Sequence, residues 1–187
     1  MLTTLDERTA LVVVDLQNGV LARPAAPHAV PDVVARTVEL AAAFRARGLP
    51  VVLVRFTGGA EPRRTDMSGR GGGTPPDGWD SIIDELAGHP GDIVVTKRVW
   101  GSFHGTDLDK RLRDLGVTQV VLAGVATSIG VESTARAANE HGYHVTLATD
   151  AMTDLDPAAH AHTIGRIFPL LGETGTAADV IALLAKG

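Results

Sequence analysis

The chain has 187 residues and a formal net charge of -5, and 44% of its residues are hydrophobic, with only four Phe, two Trp and one Tyr among them. That apolar share suffices for the core of one compact domain spanning residues 1–187 and argues against a disordered chain, while the acidic balance offers no broad basic surface for nucleic acid. There is no cysteine, which excludes disulfides, thiolate metal ligands and a cysteine nucleophile.

Met1–Glu7 is polar and acidic, without the basic start and apolar run of a secretory leader. No apolar stretch approaches the roughly 20 residues of a membrane-spanning helix, so the expected setting is cytoplasmic and away from membranes. Thr9–Asp15 is a continuous β-branched run closed by an acid, the pattern of a strand buried on both faces. Pro31–Arg47 carries Val33, Val34, Val38, Leu40, Ala41 and Phe44 at helical spacing, with Gly48 as its C-terminal cap. Further strand-like runs lie at 50–56, 92–97, 119–124 and 144–150, and helical patterns at 107–115, 130–141, 157–168 and 176–185. Strands alternating with helices predict an α/β fold, a mostly parallel sheet covered by helices on both faces in three layers. Residues 57–78 break the rhythm with glycine and proline runs and read as a long loop, either a solvated insertion or a lid.

In such a sheet ligands bind at the carboxyl ends of the strands. There the chain places Asp15, Lys97 and the segment Gly124–Gly130, which converge on one crevice if strands one, three and four are neighbours. A carboxylate, an ammonium and free helix N–H groups can move a proton, orient a substrate and stabilise negative charge. Each residue alone has an ordinary structural reading as a cap, a solvated lysine or a helix start. It is their placement on one edge that singles them out.

The segments Leu11-Val-Val-Val-Asp15-Leu-Gln17-Asn18, Lys97–Leu108, Val121–Ala137, Gly142-Tyr-His-Val and Asp150-Ala151 together resemble the isochorismatase-like hydrolase superfamily. The resemblance runs from about residue 8 to the C-terminus. It implies a six-stranded, Rossmann-like parallel sheet, a homo-oligomer (dimer or tetramer), no cofactor, and a site built on Asp15 and Lys97. It also implies a non-proline cis peptide at Val125-Ala126. In the amidohydrolase branch of that superfamily a cysteine opens the helix after strand four, and here that position is Gly130. The true isochorismatases also carry glycine there and cleave a vinyl ether. On that likeness Asp15 would protonate the enolpyruvyl methylene carbon, Lys97 would anchor a carboxylate, and the turn to Gly130 would hold anionic oxygen. A small anionic substrate follows. An ammonium beside Asp15 lowers its pKa and burial raises it, so acid and base roles both stay open.

Gln17 and Thr127 are candidate polar substrate contacts, Ala126 and Ser128 further candidate substrate-binding residues, and Trp100 with Phe103 a candidate apolar wall. Arg55 could pair with an anion or stay solvated. The nicotinamidase metal motif has no match: His89 stands alone in that region and His141, His144, His160 and His162 lie outside it, so no metal is expected. A rival reading joins Ser128, in Ala126-Thr-Ser-Ile-Gly130, to Asp150 or Asp154 and to His160 or His162 as an esterase triad. A third keeps the cleft but makes the chain a non-catalytic binding module.

Overall fold

The computed structural model describes residues 2–58, 66 and 75–186. Six strands, β1 (Thr9–Val14), β2 (Val51–Phe56), β3 (Ile93–Lys97), β4 (Gln119–Val125), β5 (His144–Thr153) and β6 (Glu173–Gly175), form one sheet in the order β3-β2-β1-β4-β5-β6. All neighbours are parallel. The helices are α1 (Asn18–Leu21), α2 (Val30–Ala46), α3 (Leu108–Asp114), α4 (Glu132–Glu140), α5 (Pro157–His162), α6 (Phe168–Leu171) and α7 (Ala177–Leu184). None is long and apolar enough to cross a membrane.

Both faces of the sheet are covered, as the β-branched runs require. Leu11, Val13, Leu53 and Val121 pack against α2 and α7 through Leu40, Phe44 and Val180. Val12, Val14, Val54 and Leu122 pack against α3, α4 and α6 through Leu112, Ala135 and Phe168. Helix α2 buries Val33, Thr37, Leu40, Ala41 and Phe44, one stripe at helical spacing. Its end is closed by Gly48 at φ +65, after which the Leu49 N–H returns to the Phe44 carbonyl at 3.0 Å, as in a left-handed cap.

Several boundaries differ from the sequence reading. The expected helix from 130 divides into a π-helical turn at Thr127–Val131 and α4, and the one at 157–168 becomes α5, a second π-helical turn (Thr163–Ile167) and α6. Strand β5 runs on to Thr153 because its pairing with β4 jumps from Leu122↔Leu147 to Gly124↔Met152, so the intervening residues of β5 bulge. The proposed lid falls on residues 57–78, of which 59–65 and 67–74 lie outside the described residues.

The sheet order places the site. Chain direction along the sheet reverses between β1 and β4, and the crevice beyond their carboxyl ends is where a doubly wound sheet leaves room for a ligand. Strand β3 is not a neighbour of β1, contrary to the condition set above. It lies at the sheet edge with β2 between, and Lys97, paired in register with Phe56, reaches across the end of β2.

Candidate active site

Asp15 follows the last residue of β1 with φ +55, the left-handed region that Asp tolerates better than most residues. Its N–H is held by the Val54 carbonyl at 2.9 Å, and its own carbonyl accepts from the Gln17 N–H at 2.9 Å. This turn aims the carboxylate back over the sheet end. Oδ2 lies 2.8 Å from Lys97 Nζ, and both side chains are buried. Lys97 also donates to the Trp100 carbonyl, leaving one of its three N–H groups for a ligand. Asp15 Oδ1 is buried with no hydrogen-bond partner among the described residues.

Burial is the largest influence on Asp15 and pushes its carboxyl up to about 6, with the charge and hydrogen bond of Lys97 pulling the other way without winning. The opposition between burial and ion pairing thus resolves in favour of a group that titrates near neutral pH. Gly130 completes the constellation by what it lacks. A Cβ there would lie 3.1 Å from Val14 Cγ1, 3.2 Å from Asp15 Oδ2 and 3.3 Å from Lys97 Nζ. The position that carries a thiol in cysteine hydrolases therefore abuts the ion pair, and here it holds no side chain.

A cavity of about 530 Å³ opens over these groups. Asp15, Lys97, Gly130, Ala126 and Trp100 line it, and so do Gly19, Val20, Arg23, Phe56, Trp79, Val99, Val125, Ile129 and Leu155. The Val125-Ala126 peptide at its edge is cis. Trp79 meets Phe56 edge to face with centroids 6.1 Å apart. Gly19 is required beneath that indole, since a Cβ there would fall 1.9 Å from Trp79 Cδ1. Phe56, Trp79 and the α1 residues have no local signature, because their role depends on how β2 and α1 meet in space.

Other singled-out residues take supporting positions. Gln17 is fully buried. Its Oε1 accepts from the Phe56 N–H at 2.7 Å and its Nε2 donates to the Phe56 carbonyl at 2.9 Å, so its amide braces the end of β2 and does not face the cavity. Phe103 turns into the core, stacked on His141 at 5.0 Å and beside Tyr143, leaving Trp100 without it at the cavity wall. Ser102 pins this segment to α4 through Thr134, with the two hydroxyls 2.8 Å apart. Arg55 is held by Thr96 and Asp80 outside the cavity lining.

Thr127 is fully buried, donates to the Thr153 carbonyl at 3.1 Å and lies 2.8 Å from His160 Nδ1. Because that carbonyl can only accept, the hydroxyl proton is committed to it and His160 Nδ1 must be the donor to Thr127. Burial, followed by neighbouring His28, holds His160 below its ordinary pKa. The half-buried Ser128 gives its backbone N–H to Asp154 Oδ2 at 2.6 Å, and Oδ1 of the same carboxylate accepts from Leu155 N–H at 2.7 Å. Asp150 faces α2 and α7, accepting from Ala177 N–H and pairing with Arg36. The esterase triad is therefore not assembled: Asp154 serves a backbone amide, His160 serves Thr127, and His162 is exposed. Among the described residues no three His, Asp or Glu side chains gather as a metal-binding group.

The family model of the isochorismatase domain matches residues 9–179. A solved isochorismatase family protein from Burkholderia thailandensis is 45% identical, with a TM-score of 0.89 over 97% of this chain and 98% of that one. The isochorismatase family protein YecD of Escherichia coli O157:H7 is 38% identical over 94% of this chain and 96% of its own length. Ureidoacrylate amidohydrolase RutB of Methylobacterium radiotolerans is 31% identical over 88% of this chain and 74% of its own.

Proposed function

The chain belongs to the isochorismatase family of hydrolases, and from that premise we propose that it hydrolyses a vinyl ether on a small anionic substrate, with Asp15 moving the proton. The observation that carries this reading is the buried Asp15–Lys97 pair beside a residue with no side chain: Asp15 titrates near 6, and Gly130 supplies no nucleophile.

In this reaction Asp15 gives its proton to the terminal methylene carbon as the alkene electrons form the new C–H bond, leaving an oxocarbenium ion. Water adds to the oxygen-bearing carbon of that ion and returns a proton to Asp15. The hemiketal then collapses, its C–O bond breaking to give a ketone and an alcohol. With a pKa of about 6, about a tenth of Asp15 carries its proton at pH 7, a fraction adequate for general acid catalysis. The spare N–H of Lys97 holds a carboxylate next to the reacting carbon, and the apolar cavity wall keeps the proton from bulk water.

A second reading has its own support. Asp15 Oδ1 is buried and unpartnered, as a base awaiting water would be, and a relative is named for hydrolysis of a ureide. In that case the carboxylate activates water against an amide carbon.

Turnover of an enolpyruvyl ether and of a matched amide and ureide, followed across pH in deuterated water, separates the two. The vinyl-ether reading expects one solvent deuterium in the product methyl group and a rate that falls as pH rises through about 6. Release of ammonia or amine, with a rate that rises through the same inflection, supports the base reading instead. Equal inertness of wild type and Asp15→Asn on the whole panel sinks both.

A further inference from the structure

The cavity floor and its mouth differ in charge. At the floor Lys97 is matched by Asp15 at 2.8 Å, so the pair contributes little net charge. The walls are apolar, formed by Val20, Phe56, Trp79, Trp100, Ile129 and Leu155. Among the described residues, the remaining charged residue of the lining is Arg23. It sits just beyond α1, whose Gly19 and Val20 line the same cavity. Arg23 is exposed and enters none of the ion pairs formed among the described residues.

An exposed arginine in the lining of an otherwise apolar cavity offers an anion a charged partner. Its planar fork matches a carboxylate in two parallel hydrogen bonds. Trp79 and Trp100 line the same cavity, and an indole is large enough to pack against a ring. We propose that Arg23 determines substrate specificity by binding a carboxylate at the cavity mouth, so that the preferred substrates are small flat molecules carrying a carboxylate remote from the bond cleaved at Asp15. This deepens the hydrolase reading and rests on it only for where cleavage occurs; the charge selection stands on the cavity alone.

The test needs no substrate. Both tryptophans of the chain line the cavity, so quenching of intrinsic fluorescence reports its occupancy. Benzoate and benzamide serve as probes, equal in shape and differing in charge. Wild type is expected to bind benzoate about tenfold more tightly than benzamide at low salt, as for a partly exposed charge-assisted contact. Arg23→Gln brings benzoate down to the affinity of benzamide and leaves benzamide unchanged, while Arg23→Lys keeps part of the preference. In wild type alone the preference shrinks as salt rises to roughly 0.5 M. Benzoate that binds wild type no better than benzamide, a preference that persists in Arg23→Gln, or one that ignores salt overturns the proposal. Because binding is read without turnover, inert enol ethers leave this result standing, and a failed benzoate preference leaves the proton-transfer reading untouched.

Discussion

Two buried polar clusters flank the turn at Thr127–Val131, and they follow opposite rules. On one side Thr127, Thr153, Asp154 and His160 are tied to one another and to backbone, with Asp154 closing both of its oxygens on N–H groups. On the other, Asp15 holds a left-handed backbone, keeps one oxygen without a partner and has its carboxyl pushed up to about 6. A satisfied network fixes one geometry and has no bonding capacity left for a ligand. The unsatisfied one is costly to fold, and on the proposed reaction that cost leaves a proton-transfer group poised. Burial is common to both clusters, and the open valence is what sets Asp15 apart.

The largest effect that could break this contrast comes from Asp15→Asn. It keeps the side-chain shape and tolerates the left-handed backbone, yet turnover is expected to fall by about a thousandfold. An equal loss from Asp154→Asn, measured in the same assay, would erase the distinction between the clusters. Stability carries a matching signature. Asp15 is raised from 3.8 to about 6 in the folded chain, so its contribution is complete below the lower value and is lost as pH rises through the upper one. The expected loss is roughly 3 kcal/mol, visible as a sloping denaturation midpoint between acid and neutral pH that Asp15→Asn abolishes.

Lys97→Met follows in size. It leaves the buried carboxyl without its cation at a cost of roughly 3 kcal/mol, and the inflection of the pH–rate profile moves upward from about 6. An unmoved inflection would show that another group titrates. Asp154→Ala sharpens the contrast from the supporting side: the N–H groups of Ser128, Leu155 and Asp156 lose their acceptor, for about 2 kcal/mol of stability and a smaller change in rate. Gly130→Ala is the mildest. Its Cβ meets three atoms at 3.1 to 3.3 Å, so a few tenths of an ångström of movement costs about 1 kcal/mol, with a severalfold loss of turnover read by calorimetry and rate together.

Much of this architecture can be read before any coordinates. The strand-like runs ending at Asp15, Lys97 and Gly124 mark strands whose carboxyl ends gather the candidate site, and the apolar stripe of α2 marks its buried face. Strand β6 escapes that reading because Glu173–Gly175 is short and lacks β-branched character beyond Thr174. Gln17 and Thr127 show a subtler limit. Their residue types suit substrate contact as well as structural support, and only the positions of Phe56 and His160, distant in sequence, decide between the two. Phe103 and Trp100 lie three residues apart, yet one stacks into the core and the other is 67% exposed. Side-chain direction in a turn segment depends on what α4 presents to it, through Ser102 and Thr134 in this case.

The reach of Lys97 over the end of β2 also bears on how the chain acquires its activity. The central strands β1, β2 and β4 can pair and bury their faces without β3, an edge strand whose Val94 stays half exposed. The ion pair cannot form until that edge has docked. If the proposed reaction holds, turnover recovered during refolding times the arrival of β3, and any probe of core burial that runs ahead of it measures the interval between a collapsed sheet and a working one.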